Sequence, residues 1–346
     1  MTLTKLRHYL RAFRKLSVAV VGDFFLDAYF DCNREIEETS LETGKHCYQV
    51  VNTRRQAGAA GTVAANLVSL GVGTVEAVGY CGDDGEGYEL RRAMTKLGLQ
   101  MNGFFTEAKR FTPTYGKPCY IQSGRVVEEL ERIDIKNRRP TPKTLQERII
   151  RYIGSHCQRW DGVIIVDQAN EQNCGVITTR VRRYLLGLAQ ERKKTVFMAD
   201  SRERIGLYRN VIIKPNQAEA AIALGSAQPR SRRGLATSKN QACQLVENTQ
   251  CPVFLTLSER GMLLATKEGV EHVQGFPVSG LIDPVGAGDS TSAAIVATLS
   301  AGAGHLEAAT IANLVGSITV QQIGTTGTAS PAQIIRRYRE TILDAA

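Results

Sequence analysis

The chain of 346 residues has no apolar run long enough to cross a membrane. Its longest runs, around Val18 to Val21 and Val163 to Val166, are the length of a strand, whereas a spanning helix needs about 20 residues. Aromatics make up only 6% of the chain, with a single Trp. The basic clusters therefore lack the interleaved stacking rings that mark nucleic-acid binding. The eight cysteines, from Cys32 to Cys251, include no CxxC pair; they offer no zinc site and read as the reduced thiols of a cytoplasmic protein. Two nucleotide motifs are also missing. Neither Gly44-Lys45 nor Gly116-Lys117 has a Gly five residues earlier or a Ser/Thr after its Lys, which excludes a P-loop. A dinucleotide enzyme would carry GxGxxG directly after its first strand, where this chain has Gly22-Asp23-Phe24.

What is present is ordinary for a soluble globular protein: 43% hydrophobic and 22% charged residues, with a formal charge of +9. The basic residues are dispersed (Arg7 to Lys15, Arg54-Arg55, Arg138-Arg139, Arg180 to Arg183, Arg230 to Arg233). They read as solvated faces whose summed field favours small anions such as nucleotides and sugar phosphates. The N-terminal residues, with leucines and aromatics at helical spacing among basic residues, read as a surface helix without the apolar core of a signal peptide. Strand-like runs at Ser17 to Gly22, Val75 to Tyr80, Val163 to Val166, Val196 to Ala199 and Val253 to Leu257 alternate with helical stretches. That rhythm predicts an α/β fold with a mostly parallel sheet covered on both faces. Two stretches, about 30–56 and 104–132, break the rhythm with polar, β-like sequence, including strand-like pieces on either side of Ser123-Gly124.

The chain is organised around Leu281 to Gly302. Asp283-Pro284 leads into Gly286-Ala287-Gly288, then Asp289, then about a dozen small and apolar residues. Flanking glycines let backbone N–H groups point outward together, and the helix behind adds its positive end, so the turn suits an anion such as a phosphate. A carboxylate at such a turn repels the ligand unless it has a task. Asp289 either caps the helix or accepts a proton from a hydroxyl that attacks the bound phosphate. Elsewhere, Asp23 and Asp27 follow the first strand, where open α/β sheets place ligands. Asn216 and Glu219 stand three apart at a helix start, which suits a capping box or a shared metal-facing side.

Asp283 to Asp289, with Ala293 to Val296, resembles at every position the second signature of the PfkB (ribokinase-like) carbohydrate kinases. Gly58 to Asn66 (GAAGTVAAN) resembles the first signature, departing from it at Ala59, where a Gly is usual, and at Thr62, where an Asn contacts the sugar. Gly22 to Asp27 (GDFFLD), Pro113-Thr114 with Lys117, and Arg132-Ile133-Asp134 are similar to motifs of the heptose-phosphate kinase branch; Cys119 stands where an Arg is usual. The likeness runs from about Val18 to Thr341.

The resemblance implies one ribokinase-like domain over 1–346, its two irregular stretches pairing as a β-sheet lid through which a homodimer forms. It implies transfer of the γ-phosphate of ATP to a sugar or sugar-phosphate hydroxyl. Gly286, Ala287, Gly288 and Asp289 would form the catalytic turn. Asp27, Asp23, Gly58, Thr62, Lys117 and Arg132 would face the sugar, and Lys214, Thr256, Ser258, Gly261 and Asn313 the nucleotide. Asn216 and Glu219 would position Mg²⁺ through waters, and Asp283 would shape a K⁺ site. The rival reading is a sugar- or nucleotide-binding relative that kept the fold without the chemistry, with drift at Ala59, Thr62, Cys119 and Ser258. The five histidines are too far apart for a nucleotidyltransferase HxGH motif.

Overall fold

The structure, a computed structural model, describes residues 1–123, 125–226 and 234–343. Gly124 and Arg230 to Arg233, singled out above, lie outside the described residues. Nine strands form the main sheet. In order across it they are Gly269–Val273, Met262–Thr266, Val253–Thr256, Ile212–Ile213, Val196–Ser201, Gly162–Asp167, Ser17–Gly22, Thr74–Cys81 and Gln100–Thr106. The first two pairs in that order are antiparallel and the other six are parallel.

The period-2 alternation of each strand divides the core in two. Val18, Val20, Ile164 and Val166 pack on one face with helices Ala60–Ser69, Ala287–Ser300 and His305–Thr319. Ala19, Val21, Val163 and Ile165 pack on the other with Lys143–His156, Thr179–Glu191 and Leu235–Thr249. Strands buried on both faces need continuous apolar sequence, which is why these runs were legible. All eight cysteines are free thiols. Among the described residues no helix is long and apolar enough to cross a membrane.

A second sheet has the order Ile133–Ile135, Thr114–Gln122, Phe24–Cys32, Val50–Ala59, with Arg125–Glu129 paired to Thr114–Gln122. It begins earlier than the sequence suggested, because Phe24 to Cys32 continues from the first strand as a nine-residue strand after one intervening residue. Asp27 therefore stands on this sheet and not in a loop. At the other boundary Phe104 to Thr106 belongs to the edge of the main sheet. Alternation puts Asp27, Tyr29 and Asp31 on one face, beside their register partners Tyr115, Lys117 and Cys119 on one side and Gln56, Arg54 and Asn52 on the other.

Candidate active site

Gly286 is the N-cap of the helix Ala287–Ser300, with φ 79°, a conformation that needs glycine. The N–H of Ala287 closes the turn on the carbonyl of Pro284 at 3.1 Å. The N–H groups of Gly288 and Asp289 have no acceptor among the described residues, as expected for a first helical turn. Asp289 sits in that turn, and among the described residues no hydrogen bond to its carboxylate is found. The cap position is filled by a residue with no side chain, so Asp289 is not the cap. Burial pushes its carboxyl up to about 7, with Asp200 and Asp27 adding to the rise and Lys214 and Arg202 opposing it.

Three elements converge on this turn. Helix Ala60–Ser69 brings Thr62, whose methyl lies 3.4 Å from where a Cβ on Gly286 would stand. Strand Val196–Ser201 ends in buried Asp200, which accepts from the Ser292 hydroxyl at 2.8 Å and pairs with the Lys214 ammonium at 3.0 Å. That ammonium lies 3.5 Å from where a Cβ on Gly288 would stand, so it lies against the glycine turn. Sequence reading gave Asp200 no role, although a carboxylate ending a buried parallel strand was the available signal. From the lid sheet, Asp27 pairs with Lys117 at 3.2 Å, and Lys117 also donates to the Tyr29 hydroxyl at 3.2 Å. Lys117 is thus buried, not a solvated lid lysine. Gly58 must be glycine: a Cβ there would stand 2.5 Å from an Asp27 oxygen.

Other candidates are already committed. Asp23 accepts from the N–H groups of Gln168, Ala169 and Val176 and so staples the loop after Gly162–Asp167. Burial and the charge of Asp167 push it up to about 6 despite those three donors. Both Asp23 oxygens are thus engaged by the backbone of that loop. Arg132 grips Asp134 with two nitrogens at 2.6 and 2.9 Å and stacks 3.9 Å over the Tyr115 ring. The amide of Asn313 donates to the carbonyls of Val273 and Gln274, both at 3.0 Å, anchoring the end of an edge strand. The oxygens of Asp283 accept from Val285 N–H (3.0 Å) and Gly324 N–H (3.1 Å), one bond each, which ties the start of the turn to the loop at Gly324.

The metal candidates form a full capping box. Asn216 Oδ1 accepts from the N–H groups of Ala218 and Glu219, and Glu219 Oε2 from that of Asn216. Among the described residues no three acidic, His or Cys side chains form a metal cluster. Glu219 is pushed up to about 7 by burial and by Asp200. Its second carboxylate oxygen remains, and Mg²⁺ characteristically takes one carboxylate with waters and substrate phosphates. The residues present therefore fit a water-mediated Mg²⁺.

Thr256 bridges to Asn216 across the sheet. Ser258 has φ 57°, so its turn requires the left-handed region, and Gly261 follows at φ 85° with its backbone against Val273 to Gly275. Ala59 is likewise left-handed, at φ 53° and ψ −114°. Such strain costs about 1–3 kcal/mol per residue, against about 0.5–1 kcal/mol of glycine entropy. Ala59→Gly is expected to stabilise the fold by about 1 kcal/mol and raise Tm by roughly 2 °C; an unchanged or lower Tm in calorimetry would remove the strain assignment.

Beside the lid sheet a small cleft is lined by Phe25, Pro113, Tyr115, Lys136, Gln168 and Gly175. Phe25 and Asp27 share a strand face. None of Gly286 to Asp289 lines the cleft.

An α/β sheet with helices on both faces, a β-sheet lid and an anion turn at a helix N-terminus defines the ribokinase-like fold. Solved structures agree: ribokinase of Arabidopsis thaliana complexed with ribose and ATP superposes with a TM-score of 0.69 at 16% identity, covering 93% of this chain and 98% of that one. Phosphofructokinase-2 of Escherichia coli in complex with fructose-6-phosphate gives 0.70 at 16% identity, covering 94% and 99%. Residues 188–333 match the model of the pfkB family carbohydrate kinases. The bifunctional protein HldE of Geobacter metallireducens is 30% identical over 327 residues, 93% of this chain and 63% of the relative. That of Geobacter sulfurreducens is 28% identical over 322 residues, 92% and 62%. The chain thus spans under two thirds of the length of these curated relatives.

Proposed function

We propose that the protein is an ATP-dependent kinase that transfers the γ-phosphoryl group to a hydroxyl of a sugar or sugar phosphate. The observation that carries this reading is the Gly286 to Asp289 turn, where N–H groups without an acceptor stand beside a carboxylate with a raised pKa and, among the described residues, no hydrogen-bond partner. A general base works best with a pKa near the operating pH. The acceptor hydroxyl gives its proton to Asp289 while its oxygen bonds to the γ-phosphorus. The bond from that phosphorus to the β,γ-bridging oxygen breaks, and ADP leaves. The turn amides and Lys214 offset charge on the transferring oxygens, in a region where burial strengthens each interaction. Mg²⁺, held through water by Glu219, would add charge neutralisation at the phosphates. Gln56 reaches Thr325 at 3.3 Å and Arg54 reaches the carbonyl of Gly324 at 3.2 Å, contacts by which the lid would exclude water from the site.

The acceptor would lie along Asp27 and Gly58, with its far end in the cleft under Tyr115. The likeness to the heptose-phosphate kinases makes heptose 7-phosphate the first acceptor to test, beside fructose 1- and 6-phosphate, ribose and nucleosides. Label passing from γ-labelled ATP to one of these supports the reading. Nucleotide binding without transfer to any of them would favour the non-catalytic relative.

We further infer a homodimer through the lid, supported by Ile36, Leu41, Tyr48, Val50 and Val51, all exposed on the lid segment or its edge strand. Sedimentation is expected to give twice the chain mass at micromolar concentration; a monomer there would rule this out.

A further inference from the structure

The small cleft beside the lid sheet lies next to Asp27. Tyr115 is the register neighbour of Asp27 on the adjoining strand. Phe25 stands two residues back from Asp27 on the same strand face, about 7 Å away. Both rings line the cleft and meet edge to face at 5.3 Å. The loop after Gly162–Asp167 lines it too, at the carboxyl end of a parallel strand, where open α/β sheets place ligands.

The charged and amide side chains of the cleft are, with one exception, already engaged. Asp23 holds three backbone N–H groups of that loop, and Lys136 pairs with Asp134 at 3.2 Å. Asn137 exchanges two hydrogen bonds with the backbone of Phe111, Asn170 donates to Glu203 at 3.1 Å, and Glu171 accepts from Arg138 at 3.4 Å. Gln168 is the exception. It is only 9% exposed and its N–H is fixed on Asp23 at 2.9 Å, yet its carboxamide makes no hydrogen bond among the described residues. Its oxygen and nitrogen are not sealed in the interior, so they stay open to the cleft that Gln168 lines. The buried amides of Gln146, Asn66 and Asn313, by contrast, all donate to backbone carbonyls. The Tyr115 hydroxyl is also without a hydrogen bond among the described residues. A buried amide with no protein partner is costly unless a ligand completes it.

A carboxamide donates and accepts at once. It matches two neighbouring hydroxyls, one accepting from its nitrogen and one donating to its oxygen, while aromatic rings cover the C–H face of a sugar. The groups left open are neutral, and Lys136, the cation among the described lining residues, is paired, so the cleft suits hydroxyls better than a phosphate. Resting on the kinase reading above, we propose that Gln168 determines acceptor specificity: its carboxamide binds a pair of adjacent hydroxyls on the part of the sugar that runs past Asp27 into the cleft, with the Tyr115 hydroxyl as a further partner. The acceptor class is then a sugar whose hydroxylated chain continues about 7 Å beyond the hydroxyl held at Asp27.

The test compares wild type with Gln168→Met, which keeps the length of the side chain and loses its hydrogen bonds. Transfer from ATP to heptose 7-phosphate and fructose 6-phosphate, and to the monodeoxy analogues of each, is followed beside calorimetric binding of the same sugars in the presence of a non-hydrolysable ATP analogue. Gln168→Met is expected to raise the KM and Kd of the sugar about 10- to 100-fold, the loss of one or two hydrogen bonds. Its kcat and its KM for ATP stay near wild type, as for an interaction made equally in ground and transition states. Wild type loses a like factor with the analogues that lack the hydroxyls at Gln168, whereas Gln168→Met does not tell those analogues from the parent sugar. The ligand-free variant melts at or above the wild-type Tm, because no protein group loses a partner; an amide with a structural role would lower it. A Gln168→Met protein with wild-type KM and the wild-type ranking of analogues overturns the assignment while the kinase reading stands. A wild type that binds heptose 7-phosphate without phosphorylating it, and loses that binding in Gln168→Met, keeps the assignment and removes the kinase reading.

Discussion

Asp289→Asn is expected to lower kcat by about 10²- to 10⁴-fold, the usual contribution of a positioned general base, with ATP affinity almost unchanged. Asparagine keeps the shape of the side chain and cannot take the acceptor proton. In the wild type kcat/KM should rise about tenfold per pH unit on the acid side and level off above about pH 7, where Asp289 is ionised. The same shift carries a stability cost. The folded state holds a proton on Asp289 up to about pH 7, whereas the unfolded chain releases it near the ordinary carboxylate value of 3.8. Folded protein therefore binds more protons across that window, and stability from this group falls as pH rises through it. Asp289→Asn should accordingly melt a few degrees above wild type at pH 8, with the gap closing as the pH falls towards 4. A mutant of near wild-type rate would end the base assignment; one that melts lower than wild type at pH 8 would contradict the half-buried, repelled carboxylate.

The largest effect on stability is expected from Lys214→Met. Lys214 and Asp200 are each about 95% buried, and the lysine also faces the charges of Glu219 and Asp289. Its ammonium is held above the ordinary lysine value: burial favours the neutral form, but Asp200, then Glu219 and Asp289, outweigh it. The contribution is therefore complete at neutral pH and is lost only as the pH climbs past the lysine range. Removing one partner of a buried pair leaves an uncompensated charge and costs about 3–5 kcal/mol. Here three carboxylates would be left facing one another. Adding Asp200→Asn should restore much of the loss, because the orphaned charge goes with it. Denaturant titration of the two single mutants and the double mutant checks this. Additive losses would mean that the pair is not coupled as its 3.0 Å separation implies.

Much of this was legible because it is local. Gly286 and Gly288 around Ala287 announce a turn that only glycine can make, and a run of small residues announces a buried helix. Buried parallel strands such as Gly162–Asp167 need unbroken apolar sequence. The lid was harder. Phe24 to Cys32 carries two aspartates, Asp27 and Asp31, which read as positions after the first strand and not as part of a second one. It is a strand because Lys117 pairs with Asp27 and Arg54 with Asp31 across the sheet, partners about 90 and 23 residues away that no local pattern reveals. The same holds for the committed candidates. Asp23, Asp283 and Asn313 stand where a ligand contact was expected, but backbone groups from distant loops occupy them. Ser258 and Ala59 show the limit from the other side. Their residue types argue against a left-handed backbone, and tertiary packing imposes one nonetheless.

The central claim is that the Gly286 to Asp289 turn cradles the phosphoryl group in transit and sets its carboxylate against the acceptor alcohol. A crystal structure with a non-hydrolysable ATP analogue, Mg²⁺ and an acceptor identified by the transfer assay tests it most directly. The account predicts the γ-phosphate within hydrogen-bond distance of the amides of Gly288 and Asp289, and the acceptor hydroxyl between that phosphorus and the Asp289 carboxylate. A γ-phosphate bound elsewhere, or an acceptor hydroxyl out of reach of Asp289, would contradict it.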